Sequence, residues 1–252
     1  MKKIKSYKQF IKESESFDYN DMIDYTLLED SSTEEDLKEL CEKANKLGVK
    51  SVCVLPKFVK LASNCLADSK VLVCTVVSFP GGDNSLDEKI SETKKVIADG
   101  ADEVDMVLNY KMLQLDGETS KEYLVEEVKS LADICHDNVN KDGEKVILKV
   151  IVESGLLTNE ETKISTHVCI EAGADFIKTS TGKVAVGAEM DKIQTMFDTI
   201  KSEGSSMNIK ASGGIRTAEQ ITSMIGIVDR FGMGFGSVDK INGIISDVES
   251  SY

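Results

Sequence analysis

Short β-prone runs alternate with longer stretches of helical periodicity from about residue 22 onward. The runs fall near 22–27, 50–55, 71–77, 103–108, 145–152, 175–179, 207–211 and 228–233. Between them lie amphipathic segments such as 33–47 and 85–99, whose apolar positions recur three and four apart. Ser32 and Glu35 have the spacing of a capping box at the start of the first segment. Four helical patterns stop at a glycine, at Gly48, Gly100, Gly173 and Gly226, and a strand-like run follows each. That is the expected role of glycine where a helix ends and feeds a strand. From 48 to 100 is 52 positions and from 173 to 226 is 53, the length of two strand–helix units.

Eight strands alternating with helices predict an α/β protein, a single-domain (β/α)8 barrel over 22–252 with a short N-terminal extension over 1–21. The competing arrangement is an open doubly wound sheet. It usually carries a G-x-G-x-x-G turn after its first strand, and that turn is missing there.

Strand alternation then sorts charge to one face. Val104 and Met106 oppose Asp105, Val150 and Val152 oppose Lys149 and Glu153, Ile177 opposes Lys178, Ile209 opposes Lys210, and Val52 and Val54 oppose Cys53. With the apolar set under the helices, Asp105, Lys149, Lys178 and Lys210 point into the barrel. Two readings follow: an active site gathered at the C-terminal face, or a buried ion-pair network that is purely structural. Lys149 fits the structural role best, being mid-strand and four residues before Glu153, a carboxylate it could neutralise.

Lys178 and Lys210 each stand just before a glycine-containing loop. A covered ammonium must find a partner or lose its proton, and a neutral lysine is a nucleophile suited to Schiff-base formation with a carbonyl. A free lysine titrates near 10.4, so neutrality at pH 7 asks for a displacement worth ~4 kcal/mol, which a neighbouring cation and partial burial together supply.

Composition narrows the class. The 252 residues carry 30 basic and 44 acidic side chains, a formal charge of −14, which disfavours a general nucleic-acid or anionic-membrane partner. The first twelve residues hold five lysines and no acid but lack the apolar stretch of a secretion signal, and no run reaches transmembrane length. Six cysteines without C-x-x-C spacing argue for reduced thiols in a cytoplasmic protein rather than a zinc or redox motif. His136 and His167 are the only histidines, which leaves little for a multi-histidine metal site.

The segments DYTLL (24 to 28), SVCVLP, SFPGG (78 to 82), GADEVDMV, LKVIVESG, AGADFIKTSTGKVAVGA, KASGGIRTAE and RFG occur in the order seen in the deoxyribose-phosphate aldolases, class I metal-independent aldolases, which the chain resembles from about Met22 onward. The resemblance implies a cofactor-free, metal-free barrel enzyme cleaving 2-deoxy-D-ribose 5-phosphate reversibly to D-glyceraldehyde 3-phosphate and acetaldehyde. By resemblance Lys178 is the Schiff-base lysine, Lys210 the lysine that lowers its pKa, and Asp105 the carboxylate that moves protons with water. Asp24 resembles the carboxylate holding the second lysine. Thr26, Leu28 and Phe79 match pocket-lining positions, Cys53 a cysteine near the site, and Tyr252 a tail tyrosine that assists proton transfer. Gly182, Lys183, Gly213 and Gly214 match phosphate-binding positions.

The match departs after RFG. The family usually places serines there, whereas this chain has Gly234 and Phe235, with Ser237 following late. Catalysis with weakened or rearranged phosphate affinity is expected, and backbone amides at Gly234 and Gly236 could still form an anion nest. Two other readings stand beside this one: a lysine aldolase for an unphosphorylated aldehyde, and a non-catalytic sugar-phosphate-binding barrel. The expected partners are sugar phosphate and acetaldehyde, with a homodimer as the assembly to test.

Overall fold

A computed structural model describes residues 19–115 and 118–243. Eight parallel strands close into one barrel in sequence order, β1 (Ile23–Leu27), β2 (Ser51–Val54), β3 (Leu72–Val77), β4 (Glu103–Val107), β5 (Ile147–Ile151), β6 (Phe176–Lys178), β7 (Asn208–Ser212) and β8 (Arg230–Gly234). Helices α1 (Glu34–Leu47), α2 (Val59–Cys65), α3 (Leu86–Ala98), α4 (Glu118–His136), α5 (Asn159–Glu171), α6 (Met190–Ser202), α7 (Ala218–Met224) and α8 (Phe235–Ile241) alternate with them. Every strand was legible from its apolar run, and the observed limits lie within about two residues of the expected ones.

Capping sets where the helices begin. The first box is one residue later than expected: Asp36 N–H donates to Thr33 Oγ1 at 3.2 Å and Thr33 N–H to the Asp36 carboxylate at 2.8 Å. Ser32–Glu35 and Thr33–Asp36 both have capping-box spacing, and the threonine takes the extended backbone the cap requires (φ −101°, ψ 171°). Ser85–Glu88, Thr158–Glu161 and Thr217–Gln220 repeat the device on α3, α5 and α7.

Gly48, Gly100, Gly173 and Gly226 all have positive φ, so these helix-to-strand turns use the left-handed region that favours glycine. An aspartate soon after three of them stitches the N-terminal rim. Asp102 accepts from Val73 N–H of β3, Asp175 from Leu148 N–H of β5 and Asp229 from Ile209 N–H of β7. His136 belongs to this stitching: its Nε2 lies 2.9 Å from Asp175, which also takes Lys145. His167 lies 3.5 Å from Glu203 on the helical layer. Both histidines are thereby accounted for without chemistry.

Outward-facing strand residues such as Val52, Val54, Val104, Met106, Val150, Ile177 and Ile209 are buried in the main apolar core with the inner faces of the helices. Their alternate neighbours fill the lumen, and the carboxyl ends of the strands carry the loops above it.

Candidate active site

Strand register decides which charges meet. Asp105 is the Cα partner of Lys149, Ile151 of Lys178 and Lys178 of Lys210, so cations on three successive strands face one carboxylate on β4. Lys178 Nζ and Lys210 Nζ both donate to Asp105 Oδ2, at 2.7 and 2.6 Å, and Lys149 Nζ donates to Asp105 Oδ1 at 2.9 Å. The three ammoniums and Asp105 are buried.

Below them a second tier ties the floor. Lys149 Nζ also meets Glu103 at 2.6 Å and Asp24 at 3.6 Å, while Arg230 Nη1 bridges Asp24 at 2.6 Å and Glu103 at 3.1 Å. Lys210 also pairs with Asp24, and Ser51 Oγ donates to Asp24 Oδ1 at 2.7 Å. The carboxylates that Lys149 meets are Glu103, Asp105 and Asp24, not the Glu153 expected from the sequence. Glu153 is engaged elsewhere, accepting from Thr181 N–H and Oγ1. The sequence reading missed Arg230, Glu103 and Cys74. Their signal was available, because Glu103 shares the face of Asp105 and Arg230 opens a strand, but neither stands inside an apolar run as Lys178 does.

Burial opposes ionisation throughout this cluster, and the partners outweigh it. Asp105 is held well below the usual carboxylate range by Lys149, Lys178 and Lys210, and Asp24 is lowered by Arg230, Lys210 and Lys149. Lys210 stays above the usual lysine range because Asp105 and Asp24 flank it, and Lys149 because Asp105, Cys74, Glu103 and Asp24 do. Lys210 is thus a fixed cation beside Lys178.

Glycine makes room for that cation. A Cβ at Gly232 would lie 3.1 Å from Lys210 Cε and 2.9 Å from Ser212 Cβ. Gly187 and Gly213 bring the loops after β6 and β7 into backbone contact, since a Cβ on Gly187 would stand 2.2 Å from Gly213 O. Ser78 (φ 55°) and Glu153 (φ 52°) adopt left-handed backbone just after β3 and β5, strain of the kind that gathers at functional mouths.

The remaining expected residues divide. Thr26 shares the lumen face of β1 with Asp24 by alternation, Leu28 is buried just after the strand, and Phe79 packs partly buried against the core. Cys53, on β2 opposite Thr26, is buried beside Cys74. Gly182, Gly213 and Gly214 all have positive φ in the loops after β6 and β7. Lys183 Nζ is tied to Glu29 at 2.9 Å. Gly234 pairs with Thr26 at the end of β8. Phe235 is 40% exposed and lines a cavity of about 210 Å³ with Tyr25, Leu27, Glu29 and Leu40, behind β1 rather than inside the lumen. Tyr252 lies outside the described residues.

Two groups could offer three soft or acidic ligand atoms to a metal, Cys53–Cys74–Asp105 and Asp24–Cys74–Glu103. Their carboxylates already hold Lys149, Lys178, Lys210 and Arg230, whose charge opposes a cation there.

Residues 21–233 match the family model described as DeoC/LacD family aldolase. The chain belongs to this family. Deoxyribose-phosphate aldolase from Mycoplasmoides pirum is 41% identical over 207 residues, 82% of this chain and 89% of that protein. The enzyme of the same name from Clostridium botulinum (strain Langeland) is 44% identical over 203 residues, 81% and 89% of the two chains. The tetrameric deoxyribose phosphate aldolase of Aeropyrum pernix superposes with a TM-score of 0.78 at 26% identity, covering 95% of this chain and 98% of that one. Fold and family are thus as the motifs implied, and no described helix is long and apolar enough to cross a membrane.

Proposed function

We propose that this DeoC/LacD family member is a class I deoxyribose-phosphate aldolase, a lyase that cleaves 2-deoxy-D-ribose 5-phosphate to D-glyceraldehyde 3-phosphate and acetaldehyde through an imine on Lys178. The observation that carries this reading is the shared contact of Lys178 and Lys210 with Asp105 Oδ2. The ion-paired cluster sets four cations, Lys149, Lys178, Lys210 and Arg230, against three carboxylates, Asp24, Glu103 and Asp105. Among the ion pairs of the described residues Lys178 meets Asp105 alone, so it is the lysine least tied to the floor of the cluster.

The chemistry then follows from the residues. Lys178 Nζ adds to the sugar aldehyde, and loss of water gives a protonated imine. A base takes the proton of the C3 hydroxyl, the C2–C3 bond breaks, and its electrons flow into the imine to leave an enamine. Asp105, directly or through one water, receives and returns these protons, while Lys210 keeps Asp105 ionised and lends positive potential to Lys178. Lys149 and Arg230 hold the carboxylates in place from below. The assigned substrate shell is Thr26, Leu28 and Phe79, with Asp24 acting from the floor through Lys210, Cys53 and Tyr252 as auxiliaries, and Gly182, Lys183, Gly213, Gly214 and Gly234 toward the phosphate; Phe235, behind β1, is not assigned to it.

Borohydride reduction with acetaldehyde followed by peptide mass mapping tests the assignment. The adduct is expected on Lys178 and absent in Lys178→Ala; a label on another lysine overturns it. A second reading, an aldolase for unphosphorylated aldehydes, is favoured by Glu29 occupying Lys183 Nζ and by Phe235 beside Gly234. Comparing kcat/KM for 2-deoxyribose with and without its phosphate separates the two. Serines at 234 and 235 should lower KM for the phosphorylated sugar, and no change would show that this rim does not set phosphate affinity. The reading extends to cytoplasmic residence, supported by six free thiols, and to a homo-oligomer, by analogy with the A. pernix tetramer.

A further inference from the structure

Two thiols line the lumen wall, and the register places them side by side. Cys53 on β2 and Cys74 on β3 are direct Cα partners in a parallel pair. Neighbouring strands stand about 4.8 Å apart, within the Cα separation of roughly 4.4–6.8 Å that disulfides span. Both sulfurs and an Asp105 carboxylate oxygen lie within 4.8 Å of one another. Cys74 Sγ donates to Asp105 Oδ1 at 3.1 Å and accepts from Lys149 Nζ at 3.3 Å. Cys74 is therefore coupled directly to the group that holds Lys178 and Lys210.

We propose that Cys53 and Cys74 are a redox-active dithiol, closed to a disulfide by a hydroperoxide and reopened by thiols, and that closure silences the Asp105 centre. Cys53 is the attacking member. Its thiol is lowered by its contact with Cys74 and by the positive charge of Lys210, against the opposing effects of burial and of the Asp105 charge. Cys74 is pushed up by burial and by Cys53, so it holds its proton as donor and resolving thiol. A peroxide small enough to follow the substrate's route to Lys178 reaches the same chamber.

The step balances. Cys53 thiolate attacks one peroxide oxygen, the O–O bond breaks, and the departing hydroxide takes up the proton Cys53 released, giving a sulfenic acid and water. Cys74 sulfur then displaces the sulfenic hydroxyl, which leaves as water with the Cys74 proton. Two thiols are oxidised by two electrons and one peroxide is reduced to two waters. Afterwards Cys74 has no S–H for Asp105, and the sulfur that accepted from Lys149 is drawn toward β2.

A competing pair lies on the outside. Cys65 of α2 is exposed and neighbours buried Cys41 of α1, whose thiol burial pushes up to about 12. The test must tell the pairs apart. Purified full-length protein is treated with hydrogen peroxide, quenched with an alkylating agent, digested without reductant and mapped by mass, with retro-aldol activity followed in parallel. A peptide linking Cys53 to Cys74, two hydrogens lighter, is expected, with at least a tenfold loss of activity restored by dithiothreitol. In Cys53→Ser and Cys74→Ser, each normalised to its own untreated rate, the reversible loss should disappear. Linkage of Cys41 to Cys65 instead, or reversible inactivation persisting in both variants, overturns the dithiol. A 53–74 link with full activity overturns the silencing. The peptide map needs no assumption about the substrate, so its failure is distinct from failure of the aldolase reading.

Discussion

Asp105 is the residue on which the site converges, because its two oxygens serve three lysines and a thiol. Asp105→Asn keeps the shape but removes the charge, leaving the ammoniums without their common anion and the reaction without its proton acceptor. Steady-state kinetics should show kcat reduced by roughly 10²–10⁴-fold, the usual scale for losing a general base. Lys149→Met acts differently, since it strips Glu103 and Asp105 of a buried counter-ion while leaving Lys178 in place. Breaking a buried pair from one side costs about 3–5 kcal/mol, so urea unfolding should register a loss of that order. Lys178 and Lys210 announced themselves in the sequence because an ammonium inside an apolar run is rare. Arg230 did not, since it precedes its strand's apolar residues, and Cys74 reads as an ordinary small hydrophobe until its neighbours are known.

Among the elements, α3 and α4 show a buried pair that serves the loops rather than the chemistry. Lys89 Nζ donates to Gly82 O, Val107 O and Glu127, whose other oxygen accepts from Asn109 N–H. Burial lowers Lys89 and raises Glu127, so neither ion sits there without opposition, yet together they satisfy carbonyls at the ends of two βα loops. Lys89→Met should cost about 3–5 kcal/mol in urea unfolding, and adding Glu127→Leu should recover part of it, as expected when a buried pair is replaced whole. No periodicity argument exposes this pair: the two residues are 38 positions apart, and each alone reads as a polar position on an amphipathic helix. The element pattern itself was plain from glycines and apolar runs. Where it slipped, at the cap of α1, two overlapping boxes competed and only backbone geometry chose Thr33.

Across the whole molecule, opposed titrations shape stability against pH. Asp24 and Asp105 are lowered in the fold, so their contribution is full above the unfolded carboxylate value near 3.9 and vanishes as pH falls through their folded values. Lys149 and Lys210 are raised, so theirs is full below about 10.4 and is lost as pH climbs through their folded values. Glu127 and Glu153, raised by burial, work against the fold as they ionise on the way up from acid. Thermal melting should therefore peak on the mildly acid side of neutrality and fall below about pH 4 and above about pH 10. A melting temperature that climbs steadily from pH 7 to 11 would contradict this balance.

The aspartates of the N-terminal rim also group the strands. Asp102 fastens β4 to β3, Asp175 fastens β6 to β5 and Asp229 fastens β8 to β7, so the barrel is laced in doublets. A single backbone nick between β4 and β5, or between β6 and β7, spares every lace, whereas one between β5 and β6 leaves a lace as the tie across the break. Fragment pairs split at the first two seams should reassemble more readily than a pair split at the third, which makes the two-strand module the natural unit for cutting and exchanging this scaffold.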